Sequence, residues 1–398
     1  MADPLRKLLA SSRRVHPRAA ERFLAQCRLR ADTGQFAALP EVVTLGEPPA
    51  SSTQTLPASS PTALREVNPP AVFVGNAVPG GDAESWQPAL AGNAFAVIAG
   101  SSGSGKSELL KRVCAELAKA DVRVLLLDFH GDLLLPGIRR LQLGADLGLS
   151  LFRSSQIGGE VVSQDVLVVL LRQAIPGLGH LQLAMLRQAL VELRRRGSQD
   201  LADLRALIDA RVSADRATAG GLLAAMEEVF GEPVFRARKK LDAAFIFERS
   251  TVLDLSSLGR PGQVVQAGLV LHSAFAAVQA GGPVHTPCAL RLFLGLDEAA
   301  VLADDPNLTV LAKEARKFGL GMAVASQELS DMPRSLLNNA STVALFRIND
   351  RSEAVLAARL LPDVRPEQFQ RLSVPGECFF RDGRGVRRLR VARAEVET

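Results

Sequence analysis

The chain of 398 residues has no tyrosine, one tryptophan, five histidines and four cysteines. Cys27, Cys114, Cys288 and Cys378 stand far apart, with no CxxC pair and no histidine at ligand spacing. That pattern argues against a zinc site or a disulfide framework and for idle thiols in a reducing compartment. The scattered histidines assemble no Ser/His/Asp or Cys/His set. No stretch approaches the ~20 uncharged apolar residues of a membrane span. The longest apolar runs, Val122 to Phe129 and Leu292 to Leu296, have the length of buried strands. Near the N-terminus, Leu8-Leu9-Ala10 is soon followed by Arg13 and Arg14, so no signal-peptide hydrophobic region forms. These absences predict a cytoplasmic chain without a membrane anchor. A hydrophobic content of 47% and a mean hydropathy of +0.13 are those of a globular protein.

Charge is what the chain has in excess of one sign. The formal net charge is +5 and the isoelectric point about 9.3. Arg6, Lys7, Arg13, Arg14, Arg18, Arg22, Arg28 and Arg30 crowd the first thirty residues, and Arg381, Arg384, Arg387, Arg388, Arg390 and Arg393 crowd the tail. Such clusters suit a polyanion such as DNA, and they equally suit a solvated Arg-rich surface.

The strongest local signal is Gly100-Ser101-Ser102-Gly103-Ser104-Gly105-Lys106-Ser107, a complete GxxxxGKS phosphate-binding loop. It follows the apolar run Phe95 to Ala99 and precedes the helix-like stretch Glu108 to Leu117, the strand-loop-helix context the chemistry needs. Its glycines let backbone N–H groups wrap a polyphosphate. Lys106 is expected at the β and γ phosphates and Ser107 on a magnesium ion. A second strand, Val122 to Phe129, ends in His130-Gly131-Asp132, so His130 and Asp132 are candidate pocket residues. A third, Ala289 to Leu296, runs into Asp297-Glu298: Asp297 as a magnesium ligand through water, Glu298 as general base toward an attacking water.

Residues 1–45 read as a basic, helical N-terminal arm and 46–70 as a Pro/Ser-rich disordered linker. The folded unit is expected over 71–398, with Trp86 plugging the edge of its core. Within it, about 134–248 is mainly helical in pattern and reads as an insertion. Strands are expected at Ala71 to Gly75, Thr251 to Leu255, Gly319 to Ala325 and Val343 to Ile348, helices at Val264 to Val278 and Leu308 to Phe318. Alternating strands and helices imply a parallel sheet with right-handed crossovers.

In their order these motifs resemble the HerA/FtsK superfamily of ring-forming DNA motor ATPases, most closely its HerA-like branch, over roughly Val72 to Val391. Besides the phosphate loop and the Asp297-Glu298-Ala299 motif, Leu127 to Asp132 is similar to the family's strand ending in Asp-x-His-Gly-acidic. Glu314-Ala315-Arg316-Lys317-Phe318-Gly319 through Ser326-Gln327 is similar to its Gly-Arg-Lys-Phe-Gly segment and sensor glutamine, with Ala315 replacing the usual glycine. The resemblance implies a RecA-like P-loop NTPase fold, an α/β fold with a parallel-dominated central sheet flanked by helices and an inserted helical subdomain. It implies ATP and Mg2+ as cofactors, Gln327 at the γ phosphate or lytic water, and Arg316 on the transferring phosphoryl group. It further implies a homo-hexamer with duplex DNA, bound without sequence preference, as partner. The alternatives are a regulatory ring ATPase working with a nuclease or defence effector in an antiphage or restriction complex, or an energiser of conjugative or protein secretion. The β-barrel that precedes the motor in archetypal HerA proteins is not evident. Basic loops such as Arg236 to Lys240 are candidates for the pore.

Overall fold

The computed structural model describes residues 64–69, 71–88, 93–151, 163–198, 200–286 and 289–392. The chain divides at residue 58, and the unit 59–398 contains all of these. The expected arm 1–45, most of the linker, Cys27, Cys288 and Arg393 lie outside the described residues.

The apolar runs become the strands of one sheet. They are β1 (Val72–Ala77), β2 (Ala83–Trp86), β3 (Phe95–Ala99), β4 (Arg123–Asp128), β5 (Arg139–Gln142), β8 (Thr251–Asp254), β9 (Leu292–Leu296), β10 (Leu320–Ser326), β11 (Thr342–Leu345), β12 (Glu377–Asp382) and β13 (Gly385–Val391). Two further short strands, β6 (Leu147–Leu149) and β7 (Lys239–Leu241), pair only with each other. The order in the large sheet is β2-β1-β13-β12-β11-β3-β10-β9-β4-β8-β5. From β11 to β5 every pairing is parallel, and from β11 to β2 every pairing is antiparallel. A parallel-dominated sheet is therefore what the strands build.

The parallel strands inside the edge strand β5 are buried on both faces, which explains their apolar sequences. Alternate residues of β3 serve opposite cores. Ala96 and Ile98 pack with α1 (Lys106–Lys119), Trp86 and β1, whereas Phe95, Val97 and Ala99 pack with the helices on the other face. Those are the insertion helices α2 (Gln164–Ala174), α3 (His180–Arg195), α4 (Leu201–Asp209) and α5 (Arg216–Gly231), then α6 (Arg260–Ala280) and α7 (Pro306–Glu314). Three short helices follow: α8 (Arg334–Asn339), α9 (Arg351–Leu360) and α10 (Pro366–Gln370). Trp86 does plug the core. Its indole N–H donates to Thr342 Oγ1 at 3.0 Å and its ring meets Phe293 edge-on.

Three expectations change. The stretch 134–248 holds strand β5, which joins the edge of the main sheet, as well as β6, β7 and four helices. The helix expected over Leu308 to Phe318 stops at Glu314, and Ala315–Phe318 form a 3-10 turn closed by Gly319 in the left-handed region. The basic tail is the antiparallel hairpin β12–β13, and its charges are committed. Arg384 and Arg387 bind Asp382, Arg388 and Arg390 bind Glu377, and Arg381 caps the carbonyls of Leu360 and Ala340. Four arginines of the hairpin thus share two carboxylates.

Asp305 caps α7 through Oδ1, which accepts from Asn307 N at 2.7 Å, while its buried Oδ2 has no partner. Burial pushes this carboxyl up to about 6. An acid with a raised folded pKa favours the protonated fold, so its contribution to stability declines as pH rises from about 4 to about 6 and is level above that. Asp305→Asn keeps an acceptor at the cap and is expected to flatten this pH dependence, by roughly 2–4 °C in melting temperature. Melts followed by the fluorescence of Trp86, the one tryptophan, would sink the assignment if both proteins showed the same slope.

Candidate functional site: a phosphate loop facing paired carboxylates

Strand β3 delivers the chain into the loop 100–107, and α1 leaves it. The loop is braced from outside. Ser101 N donates to Arg347 O at 2.8 Å, and Gly376 N donates to Ser104 O at 2.8 Å. Gly105 caps α1 at φ 114°, and a Cβ there would stand 2.9 Å from Gly376 Cα, so both the backbone angle and the close approach demand glycine. The fourteen-residue α1 aims its free N–H groups and positive dipole end into the loop. Lys106 Nζ donates to Gly100 O at 2.7 Å and Ser101 O at 3.1 Å. Burial lowers its pKa, opposed by the charge of Glu298. The ammonium thus rests on the loop's carbonyls, at the mouth of an anion-shaped cradle. The buried Ser104 hydroxyl has no hydrogen-bond partner, and Ser107 is half-buried on the first turn of α1.

Register carries the other groups to the same edge. β10 lies between β3 and β9, with Ser326 opposite Ala99 and Val324 opposite Leu296. Gln327, exposed directly after β10, therefore stands between the loop and the Asp297-Glu298 pair. Asp297 is 5% exposed; its Oδ1 accepts from Phe129 N at 3.0 Å and its Oδ2 has no partner. Burial pushes its carboxyl up to about 8, helped by the negative charges of Asp128, Asp132 and Glu298 and opposed by the Phe129 N–H. A buried acid with an unpaired oxygen is costly unless something positive meets it. Glu298 Oε1 accepts from Ser326 Oγ at 3.3 Å, and its Oε2 lies 3.8 Å from His130 Nε2.

Carboxylate oxygens of Asp128, Asp132 and Asp297 lie within 4.8 Å of one another. Asp128 is nevertheless a poor cation ligand, because its oxygens already accept from the backbone N–H groups of His130, Gly131 and Leu133. The unpartnered oxygen belongs to Asp297, and an unpaired buried carboxylate oxygen suits a hard divalent cation.

Arg316 does not join this cluster. It lies in the 3-10 turn before β10, near Lys313, Pro283 and Phe318. The seven residues of β10 separate that turn from the phosphate-loop edge, roughly 20 Å at strand rise. Sequence reading missed the bracing of the loop by Arg347 and Gly376. The Pro375-Gly376 pair signals only a turn, and Arg347 carries no local signal.

Removing Lys106 deletes the one ammonium in the loop. Lys106→Ala is expected to weaken binding of a fluorescent ADP analogue at least about 100-fold while the melting temperature holds. Undiminished affinity in a titration would contradict the cradle.

The family description "Helicase HerA, central domain" matches residues 90–133, which span β3, the loop, α1 and the turn after β4. Comparison with curated protein sequences gives no match. Among solved structures, VirB4 of Thermoanaerobacter pseudethanolicus is similar at 16% identity and a TM-score of 0.64, covering 82% of this chain and 97% of that one. The bacterial conjugative coupling protein TrwB, without its first 70 residues, is similar at 14% identity and a TM-score of 0.62, covering 82% and 89%. TrwB in complex with ADP and Mg2+ gives 15% and 0.58, covering 76% and 86%. The likeness to these structures is one of fold. In the order of its motifs, in the match across the phosphate loop and in its fold, the chain is similar to the HerA/FtsK superfamily of P-loop ATPases.

Proposed function

We propose that the chain is an ATP-hydrolysing motor that acts on duplex DNA as a homo-hexameric ring. The single observation that carries the ring is the position of Arg316, a strand length away from its own phosphate loop. One copy supplies loop, carboxylates and Gln327, and the arginine reaches the γ phosphate from a neighbour.

ATP lies with its phosphates on Gly100 to Ser107, Lys106 leaving the loop carbonyls for the β and γ oxygens. Ser107 and, through water, Asp297 would hold Mg2+, which would neutralise charge on those oxygens. Glu298 accepts a proton from the water whose oxygen bonds to the γ phosphorus, while the bond to the ADP oxygen breaks and phosphate departs. Gln327 orients that water. Arg316 of the adjacent subunit meets the charge spreading over the γ oxygens.

DNA as the polymer is supported by Arg236, Arg238, Lys239 and Lys240, exposed together around β7 on the inserted segment. Arg238 faces Asp146 across 3.6 Å at full exposure, a contact of little strength, and Lys239 and Lys240 point to solvent. This strip replaces the tail hairpin as the candidate phosphate contact. A second reading, an energiser of conjugative or protein transfer, draws on the fold shared with VirB4 and the conjugative coupling protein. Among the described residues no helix is long and apolar enough to cross a membrane.

Glu298→Gln is expected to retain ATP and lower turnover at least about 100-fold. Duplex DNA is expected to raise wild-type hydrolysis several-fold, with the increment falling steeply as salt rises. DNA-independent turnover would favour the second reading. Mixing inactive Glu298→Gln with inactive Arg316→Ala should restore part of the activity, since mixed rings contain complete sites. A mixture as silent as its components would defeat the shared site.

A further inference from the structure

The turn between β4 and β5 holds a partly buried polar clasp that the reaction described above does not use. Arg140, on the edge strand β5, places Nη2 2.8 Å from Asp254 Oδ2, 3.3 Å from Asp128 Oδ2 and 3.0 Å from Gly131 O, and Nη1 3.0 Å from Leu133 O. Asp128 in turn accepts the N–H groups of Gly131 at 2.7 Å, Leu133 at 3.0 Å and His130 at 3.3 Å. Gly131 sits at φ 84°, where a Cβ would meet Ser256 Oγ at 2.7 Å. Ser256 Oγ is itself held by Asp254 at 2.7 Å. Asp128, Gly131 and Leu133 of the turn 128–133 are thereby tied to Arg140 of β5, and Gly131 is packed against Ser256 at the end of β8.

What that turn presents is the other half of the observation. Its Phe129 N–H makes the hydrogen bond to the Asp297 carboxylate, at 3.0 Å, and its His130 ring lies 3.8 Å from Glu298 Oε2. Asp254 has its carboxyl held below the ordinary range by Ser256 and Arg140 against the effect of burial, so the clasp keeps opposite charges in contact. Arginine suits this position because its planar fork satisfies two carboxylates and two carbonyls at once, which a lysine cannot.

We propose that Arg140 is a positioning residue for the Asp297-Glu298 pair: by gripping Asp128, Asp254 and the turn carbonyls, it fixes the turn that holds Asp297 and faces Glu298. Arg140 touches neither the phosphate loop nor the carboxylate pair, and β5 opens the inserted segment. The clasp thus links that segment to the turn beside the hydrolytic groups, while β8, β4, β9 and β10 lie between β5 and the loop-bearing β3.

The inference rests on the reading of Glu298 as general base, and the test separates the two. Arg140→Ala in the full chain is expected to lower kcat about 10- to 100-fold, with KM and affinity for a fluorescent ADP analogue within about twofold of wild type. Arg140→Lys should recover part of the loss, and it serves in place of the alanine variant if that one melts below assay temperature. In a Glu298→Gln background, Arg140→Ala should add no further loss, because the group it positions is already gone. A kcat that ignores Arg140 in a wild type that needs Glu298 overturns this inference alone. So does a full additional loss in the Glu298→Gln background, or a parallel fall in nucleotide affinity, either of which marks a general structural role. Hydrolysis unaffected by Glu298→Gln overturns the reading of Glu298 and this inference with it.

Discussion

The parallel ladder that holds β3 between β10 and β11 carries the rest of the molecule. Parallel pairing forces every strand from β11 to β5 to end at one edge, and crossovers return the chain on the faces. The loop after β3, the glutamine after β10 and the acidic pair after β9 meet because of that polarity alone. Shift β10 by one residue and its side chains would exchange cores while Gln327 left the edge.

That edge is stocked with polar groups that lack partners. Asp297 keeps one buried oxygen unpaired, the Ser104 hydroxyl is unsatisfied, and Lys106 rests on carbonyl oxygens of its own loop. Of the buried charges elsewhere, Asp305 also keeps an unpaired oxygen, whereas Arg291 on Glu66 at 2.5 Å and the hairpin arginines on Glu377 and Asp382 are matched closely. The contrast is physical. Buried groups without partners are costly, and a polyphosphate with its cation would meet the Ser104 hydroxyl and the Asp297 oxygen.

Much of the fold was legible because fully buried strands write themselves as continuous apolar runs and the phosphate loop occupies a fixed strand-loop-helix context. The runs at Phe95 to Ala99, Val122 to Phe129 and Leu292 to Leu296 became β3, β4 and β9 within one to two residues. What escaped lay where sequence signals are weak. β5, with Arg139 and Arg140 in a four-residue strand, has no apolar run, since an edge strand need bury little. The hairpin β12–β13 was masked by its arginines, whose stems pack while their heads meet carboxylates from distant positions. The end of α7 at Glu314 was hidden because Ala-Arg-Lys-Phe has good helical propensity, and the turn into β10 overrode it.

By itself the sequence determined the phosphate cradle, the apolar strands and the acidic pair, because each is a local pattern whose chemistry depends on neighbours along the chain. Which of these meet was decided by strand order, a long-range property that no local window contains. Tertiary structure put Gln327 between loop and acids, put Arg316 at the far end of β10, and spent the tail arginines on Glu377 and Asp382. It also made Asp128, the acid that closes β4, the acceptor for a turn, since three backbone N–H groups and Arg140 reach it.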